Sequence, residues 1–340
     1  MPMPPWSWAV GHIGLLYAYT RSLPAFANVN LVFPEIAASF ADTEMFLIDL
    51  WPVAETMLIV FNPEAAMQVA QKMNLPKATF NHVITAPITG GPSMLSMNGS
   101  QWKTWRSLFN PGFSSAMMVE QTPQIVDSVS VFCKKLVKMT EKGVFSLDNL
   151  TTRLTFDIIM KVTLNADADH QSADHPLPYA LDMITKWHSV WDVRLILNPL
   201  RPLIHAYYGN VIKTYIRKQI QDRFQEVKKE YSNPASLAIS RAKSVMTLAI
   251  EGYLASQTKP TAQTLDEDFA KMASHQIRLF LFAGNDTTSS TIYIEIPEFG
   301  RSRKPFCQNA GLWVQNMRFT RLRGHIAPSN WGLGTALVKV

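Results

Sequence analysis

From Phe269 to Ile292 the chain carries an apolar run of helical periodicity, with hydrophobic residues on most of its faces. Such a helix needs neighbours on most sides, so it is expected to be buried within a mainly α protein. Thr264 and Glu267 form a Thr-x-x-Glu capping box at its start, and Asp266 and Asp268 complement the helix dipole. The run is expected to end near Tyr293, where Pro297 blocks continuation. Inside it lies Ala283-Gly284-Asn285-Asp286-Thr287-Thr288. Glycine weakens a helix, and a carboxylate and hydroxyls within an apolar helix need partners, so the cluster costs stability and marks a place for chemistry.

The chain upstream fits the same class. Gly11-His12 and Gly14 read as a loop, and Asn30 to Ala41 as a short helix with Pro34 in its first turn. Met45 to Leu50 and Met57 to Val60 read as strands, the small β portion of the fold, separated by a turn near Pro52. Asn62-Pro63-Glu64 opens a helix through Met73, with Asn62 as N-cap. Further helices are expected at Gln101–Leu108, Pro123–Met139, Leu150–Leu164, Tyr179–Val190 and Tyr207–Glu230, with a polar loop at 165–178. No run of 18 apolar residues occurs, so no membrane span is expected, and the N-terminus lacks the features of a signal peptide. The apolar segment 195–204 could touch a membrane surface or pack between helices.

Charge separates the body from its tail. Of the net charge of +6, a surplus of five comes from residue 293 onward, where seven basic residues face Glu295 and Glu298. The first 292 residues carry only +1, which gives no argument for nucleic-acid binding. Residues 293–340 show no clean period and mix tryptophan, glycine and basic side chains. They read as an irregular tail of different origin from the domain at 1–292, against the alternative of an irregular surface segment. The two cysteines, Cys133 and Cys307, give no disulfide framework and suggest a reducing compartment.

Three constellations could carry chemistry. In the central helix, Thr287 can return its hydroxyl to the carbonyl of Ala283 or Gly284, Gly284 lets a flat ligand or a diatomic molecule approach the backbone, and Asp286 beside Thr287 offers a proton source and relay. The competing reading is a small-residue packing notch. Trp102 and Arg106, four apart, project from one helix face, where indole and guanidinium can grip one carboxylate. A surface Arg stacked on Trp explains that pair equally when it is taken alone. Asp167, Asp169, His170, Asp174 and His175 match no metal-ligand spacing, and no metal site is expected.

Taken in order, these motifs resemble the cytochrome P450 family of haem-thiolate monooxygenases. Trp102-Lys103-Thr104-Trp105-Arg106 is similar to the family's Trp-x-x-x-Arg, and Ala283 to Thr288 is similar to the motif of its long central helix; Thr155-Phe156-Asp157-Ile158-Ile159 looks like the helix between them. The resemblance implies the N-terminal half of a P450 fold, through the central oxygen-binding helix. It implies haem as cofactor, with Trp102, Arg106, Ala283 and Gly284 on the cofactor and oxygen side. Asp286 and Thr287 would deliver protons for oxygen activation. It further implies a small hydrophobic substrate of fungal secondary metabolism, and NADPH electrons arriving through cytochrome P450 reductase. Residues 81–96 and 179–207 would line or cover the substrate pocket. The cytoplasm or the cytoplasmic face of the endoplasmic reticulum would be the location.

The late part departs from the pattern. The family's ligand loop is Phe-x-x-Gly-x-Arg-x-Cys-x-Gly, whereas the corresponding positions around Cys307 are Gly300, Arg303, Pro305 and Asn309. Glu298 and Arg301 repeat a family Glu-x-x-Arg spacing, but too close to the central helix. The expectation is a domain truncated before its haem-binding Cys loop, without the microsomal anchor and incompetent alone as a monooxygenase. The alternative is a non-catalytic remnant that binds a ligand or a full-length relative.

Overall fold

The computed structural model describes residues 1–23, 31–73, 75–140, 147–188, 193–232, 243–256, 265–301 and 338–339. The chain divides into two compact units, Met1–Val83 with Thr320–Val340, and Ile84–Phe319.

The first unit holds the sheet. β1 (Met45–Ile48) pairs antiparallel with β2 (Met57–Val60), Met45 opposite Val60 and Ile48 opposite Met57. The two-residue β3 (Val338–Lys339) adds to β2. Alternation along β1 buries Phe46 and Ile48, which form a core with Ile59, Leu16, Val32 and Ile36. Leu16 comes from α1 (Ile13–Ser22), so the stretch read as a loop around Gly14 is helical. A glycine costs a helix about 1 kcal/mol, less than the roughly 1.5–3 kcal/mol from burying one leucine. Val32 and Ile36 lie on α2 (Val32–Ala37), shorter than the expected 30–41 helix and prolonged by a tighter turn, Ala38–Phe40. α3 (Pro63–Met67) starts where its signals place it: the Asn62 side chain accepts the Ala65 N–H at 2.8 Å, and Pro63 opens the helix.

The second unit is helical: α4 (Thr79–Thr89), α5 (Gly99–Phe109), α6 (Ser115–Thr140), α7 (Leu147–Leu164), α8 (Pro176–Trp187), the one-turn α9 (Val193–Ile196), α10 (Arg201–Ser232), α11 (Val245–Ser256) and α12 (Glu267–Arg301). α12 packs chiefly on α7 and also on α10, which itself lies against α8 and α11. Ile212, Ile216, Ile220 and Phe224 form one buried stripe of α10 and meet Phe156 and Met160 of α7 and Ile277 and Leu281 of α12 in a single core. Among the described residues no helix is long and apolar enough to cross a membrane.

Several helix limits differ from the sequence reading. α6 begins before Pro123 and runs through it, since proline removes only one ladder bond from a long helix. Thr264 lies outside the described residues; the cap seen on α12 is Asp266, whose carboxylate accepts the Phe269 N–H at 3.2 Å. The backbone of α12 continues past Tyr293 and Pro297 to Arg301, so residues 293–301, assigned above to an irregular tail, are helical. A helix already propagating over many turns tolerates the lost bond at Pro297. Residues 302–337, including Cys307, lie outside the described residues.

Candidate active site

Burial along α12 changes character at the motif. From Ala273 to Arg278 every residue is buried, so the helix is enclosed on all sides there. One turn later Ala283, Thr287, Thr288 and Thr291 are exposed, while Ser289 on another face is buried. The positions 283, 287 and 291 recur every four residues, so one stripe of a central helix opens at the motif.

The hydroxyls of this stripe are held by the helix itself. Thr287 Oγ1 donates to the Ala283 carbonyl at 2.7 Å, the return bond expected from its spacing. Thr291 repeats the bond one turn on, to Thr287 at 2.9 Å. Ser289 and Ser290 both donate to the Asp286 carbonyl, at 3.1 and 2.9 Å. The Asp286 side chain is half-buried, and its pKa is raised, first by burial and second by the negative charge of Asp148 at the start of α7. A carboxyl so placed keeps its proton to higher pH than a free aspartate, as a proton donor requires.

Gly284 does not provide the opening assigned to it from the sequence. A Cβ there would lie 2.8 Å from Cδ1 and 3.0 Å from Cγ1 of Ile159 on α7. The missing side chain allows close approach of two helices, so the packing reading applies to this residue, and the open stripe belongs to Ala283 and Thr287. Beside it, Asn285 Oδ1 accepts from Thr155 Oγ1 at 2.6 Å, which ties α7 to the motif. The sequence reading gave Asn285 no role. Its only signal was that Thr155 stands in the stretch already singled out on α7.

α5 meets α12 through aromatic side chains. Trp105 stacks on Phe269 at 5.5 Å and on Phe109 at 6.0 Å, and Phe109 meets Phe280 edge-on at 5.2 Å. With Trp105 and Phe109 turned inward, Trp102 and Arg106 lie on the exposed part of α5 one turn apart, Trp102 with 36% of its surface accessible. Among the described residues Arg106 has no carboxylate partner. A guanidinium and an indole on one face offer only donors, the chemistry that suits an anionic oxygen group such as a haem propionate. The small side chains of the open Ala/Thr stripe of α12 are likewise of the kind against which the face of a flat cofactor such as haem could lie. Cys307, whose flanks depart from the family's ligand loop, is not among the described residues; Cys133 is buried and in no disulfide among them.

The acidic and histidine-rich loop after α7 is tied down by side chains. Buried Asp157 accepts the backbone N–H groups of His170 and Gln171 at 2.7 and 3.0 Å, and Arg153 bridges the His170 carbonyl and Asp174. Burial lowers the pKa values of His170 and His175. No metal-holding group of three or more ligands occurs among the described residues.

A family model described as Cytochrome P450 matches residues 20–298. Cytochrome P450 monooxygenase polC of Polytolypa hystricis is 29% identical over 298 residues, covering 86% of this chain and 52% of the relative. Cytochrome P450 monooxygenase acrF of Aspergillus aculeatus is 32% identical over 255 residues, covering 73% of this chain and 48% of the relative. The chain thus spans about half the length of these curated relatives. Among solved structures, the heme domain of a cytochrome P450DA variant superposes with a TM-score of 0.62 at 18% identity, covering 91% of this chain and 62% of that one. The cytochrome P450 CYP102L1 gives 0.55 at 15%, covering 88% and 60%. At these identities the structures establish the fold.

Proposed function

The chain belongs to the cytochrome P450 family, and from that premise we propose that it carries the propionate-gripping and oxygen-side residues of a haem monooxygenase. Its substrate would be a small hydrophobic molecule of fungal secondary metabolism, a reading that rests on its likeness to cytochrome P450 monooxygenases of fungi. The observation that carries the reading is the opening of the central helix at Ala283 and Thr287 beside the half-buried carboxyl of Asp286. Trp102 and Arg106 would hold a propionate. Bound haem supplies the redox and oxygen-activating chemistry, with electrons from NADPH through a reductase. Asp286 would hold a proton near the open stripe. The Thr287 hydroxyl, turned away from the Ala283 carbonyl, would carry a proton toward bound substrate and water. The apolar, exposed Leu197, Leu200 and Leu203 support peripheral contact with a membrane surface, on the cytoplasmic side for a chain that uses reductase.

The flanks of Cys307 support a narrower expectation: residues 1–340 alone bind haem without a thiolate bond and do not turn over. The test is titration of the 340-residue protein with hemin, followed by reduction and carbon monoxide. Saturable binding with no thiolate-type Soret band is expected, and a thiolate band would overturn the inactivity. Arg106→Ala should weaken hemin binding at least fivefold while changing stability by no more than about 0.5 kcal/mol, because the side chain is exposed and has no carboxylate partner among the described residues. Equal hemin affinity in the variant would remove Arg106 from the site.

A further inference from the structure

Three side chains in the fully enclosed part of α12 reach one target. Arg278 is 4% exposed and has no carboxylate partner among the described residues. Its Nε donates to the Ile88 carbonyl at 2.9 Å and its Nη2 to the Pro87 carbonyl at 3.2 Å. Both carbonyls belong to the last turn of α4, where the helix dipole is negative and a cation is favoured. Two residues toward the N-terminus, Gln276 is fully buried and its Oε1 accepts the Met94 N–H at 2.7 Å. Next to it, His275 Nδ1 lies 3.2 Å from the Pro92 carbonyl. The linking chain is shaped to meet them. Gly90 and Gly91 adopt φ of +81° and +154°, and a Cβ on either would collide with the Arg278 guanidinium or the His275 ring.

This clamp holds the segment that leads from α4 into α5, and Trp102 stands eight residues beyond Met94. Burying an arginine without a counter-ion is costly, and a simpler apolar contact would suffice if only packing were needed. We propose that Arg278, Gln276 and His275 are positioning residues that fix the α4–α5 connection on the central helix and so set where Trp102 and Arg106 stand relative to it. As a claim about haem binding this rests on the reading given under Proposed function; as a claim about the connection it does not.

The test uses the full chain with Arg278→Met, Arg278→Lys and Gln276→Met, read by amide hydrogen exchange and by hemin titration. Arg278→Met should speed exchange in residues 90–98 at least tenfold, leave residues 212–224 of α10 unchanged, and weaken hemin binding at least fivefold. Arg278→Lys, which keeps a cationic donor at the end of α4, should recover part of both effects. If Arg278→Met does not fold, Gln276→Met carries the same expectation for the segment around Met94. Unchanged exchange in 90–98 of a folded variant overturns the proposal, and so does faster exchange with unaltered hemin affinity. If the unmutated chain takes up no hemin, the haem reading fails, and the exchange pattern with its lysine rescue decides the clamp alone.

Discussion

Replacing Gly284 by alanine separates two roles that the sequence leaves equally open. In a helix alanine is better than glycine by about 1 kcal/mol, so a Gly284 facing open space should yield a more stable protein on substitution. The structure puts the new methyl 2.8 Å from Ile159 Cδ1 and 3.0 Å from Cγ1, inside van der Waals contact. Relieving such overlap costs about 1–3 kcal/mol. The expected net effect of Gly284→Ala is therefore a loss of about 1 kcal/mol. Ile159→Val removes Cδ1, the nearest atom, and costs about 0.5–1.5 kcal/mol by itself. In that background Gly284→Ala should become neutral or stabilising, giving a coupling of about 1–2 kcal/mol in a double-mutant cycle. Urea unfolding followed by helical circular dichroism measures all four proteins. Stabilisation by Gly284→Ala in both backgrounds, with no coupling, would refute the close approach of α7 and α12 and return Gly284 to the open stripe.

Further outcomes follow from the same contacts. Thr155→Val keeps the shape but leaves Asn285 Oδ1 without its donor; a loss of about 1–3 kcal/mol is expected in urea unfolding, and no loss would mean that this tie contributes nothing. Asp157→Asn exchanges one carboxylate oxygen for an amide donor that faces a backbone N–H, so it should cost about 1.5–3 kcal/mol and loosen residues 170–171 in hydrogen exchange. His275 has its pKa lowered from 6.5 to about 4, first by burial. The unfolded chain thus binds its proton more readily, and stability present above pH 6.5 is lost as pH falls toward 4, by about 3 kcal/mol from this group. His275→Gln should flatten that part of the pH–stability curve, although the similarly lowered His188 leaves a residual slope. An identical curve in the variant would exclude His275 as the source.

Much of the architecture could be read locally, and particular residues show why. Asn62 caps α3 because an Asx side chain followed by proline satisfies an N-terminal N–H within a few bonds. The strands at 45–48 and 57–60 follow from two short apolar runs separated by a turn near Pro52. Thr287 returns its hydroxyl one turn back, as spacing alone dictates. Pro123 and Gly14 misled the reading of helix limits because packing energy that only distant neighbours supply offsets their local penalties.

By itself, then, the sequence determined the helical class, the burial of much of the Phe269–Ile292 run, and the face shared by Trp102 and Arg106. Periodicity states which residues of a helix lie together. It does not state which neighbour lies against them. Only the tertiary structure turned Gly284 toward Ile159, gave Asn285 its partner on α7, and placed Arg278 under the last turn of α4. Those contacts join residues far apart in the chain, so no local pattern encodes them, and they decide which part of the motif packs and which part is left open for chemistry.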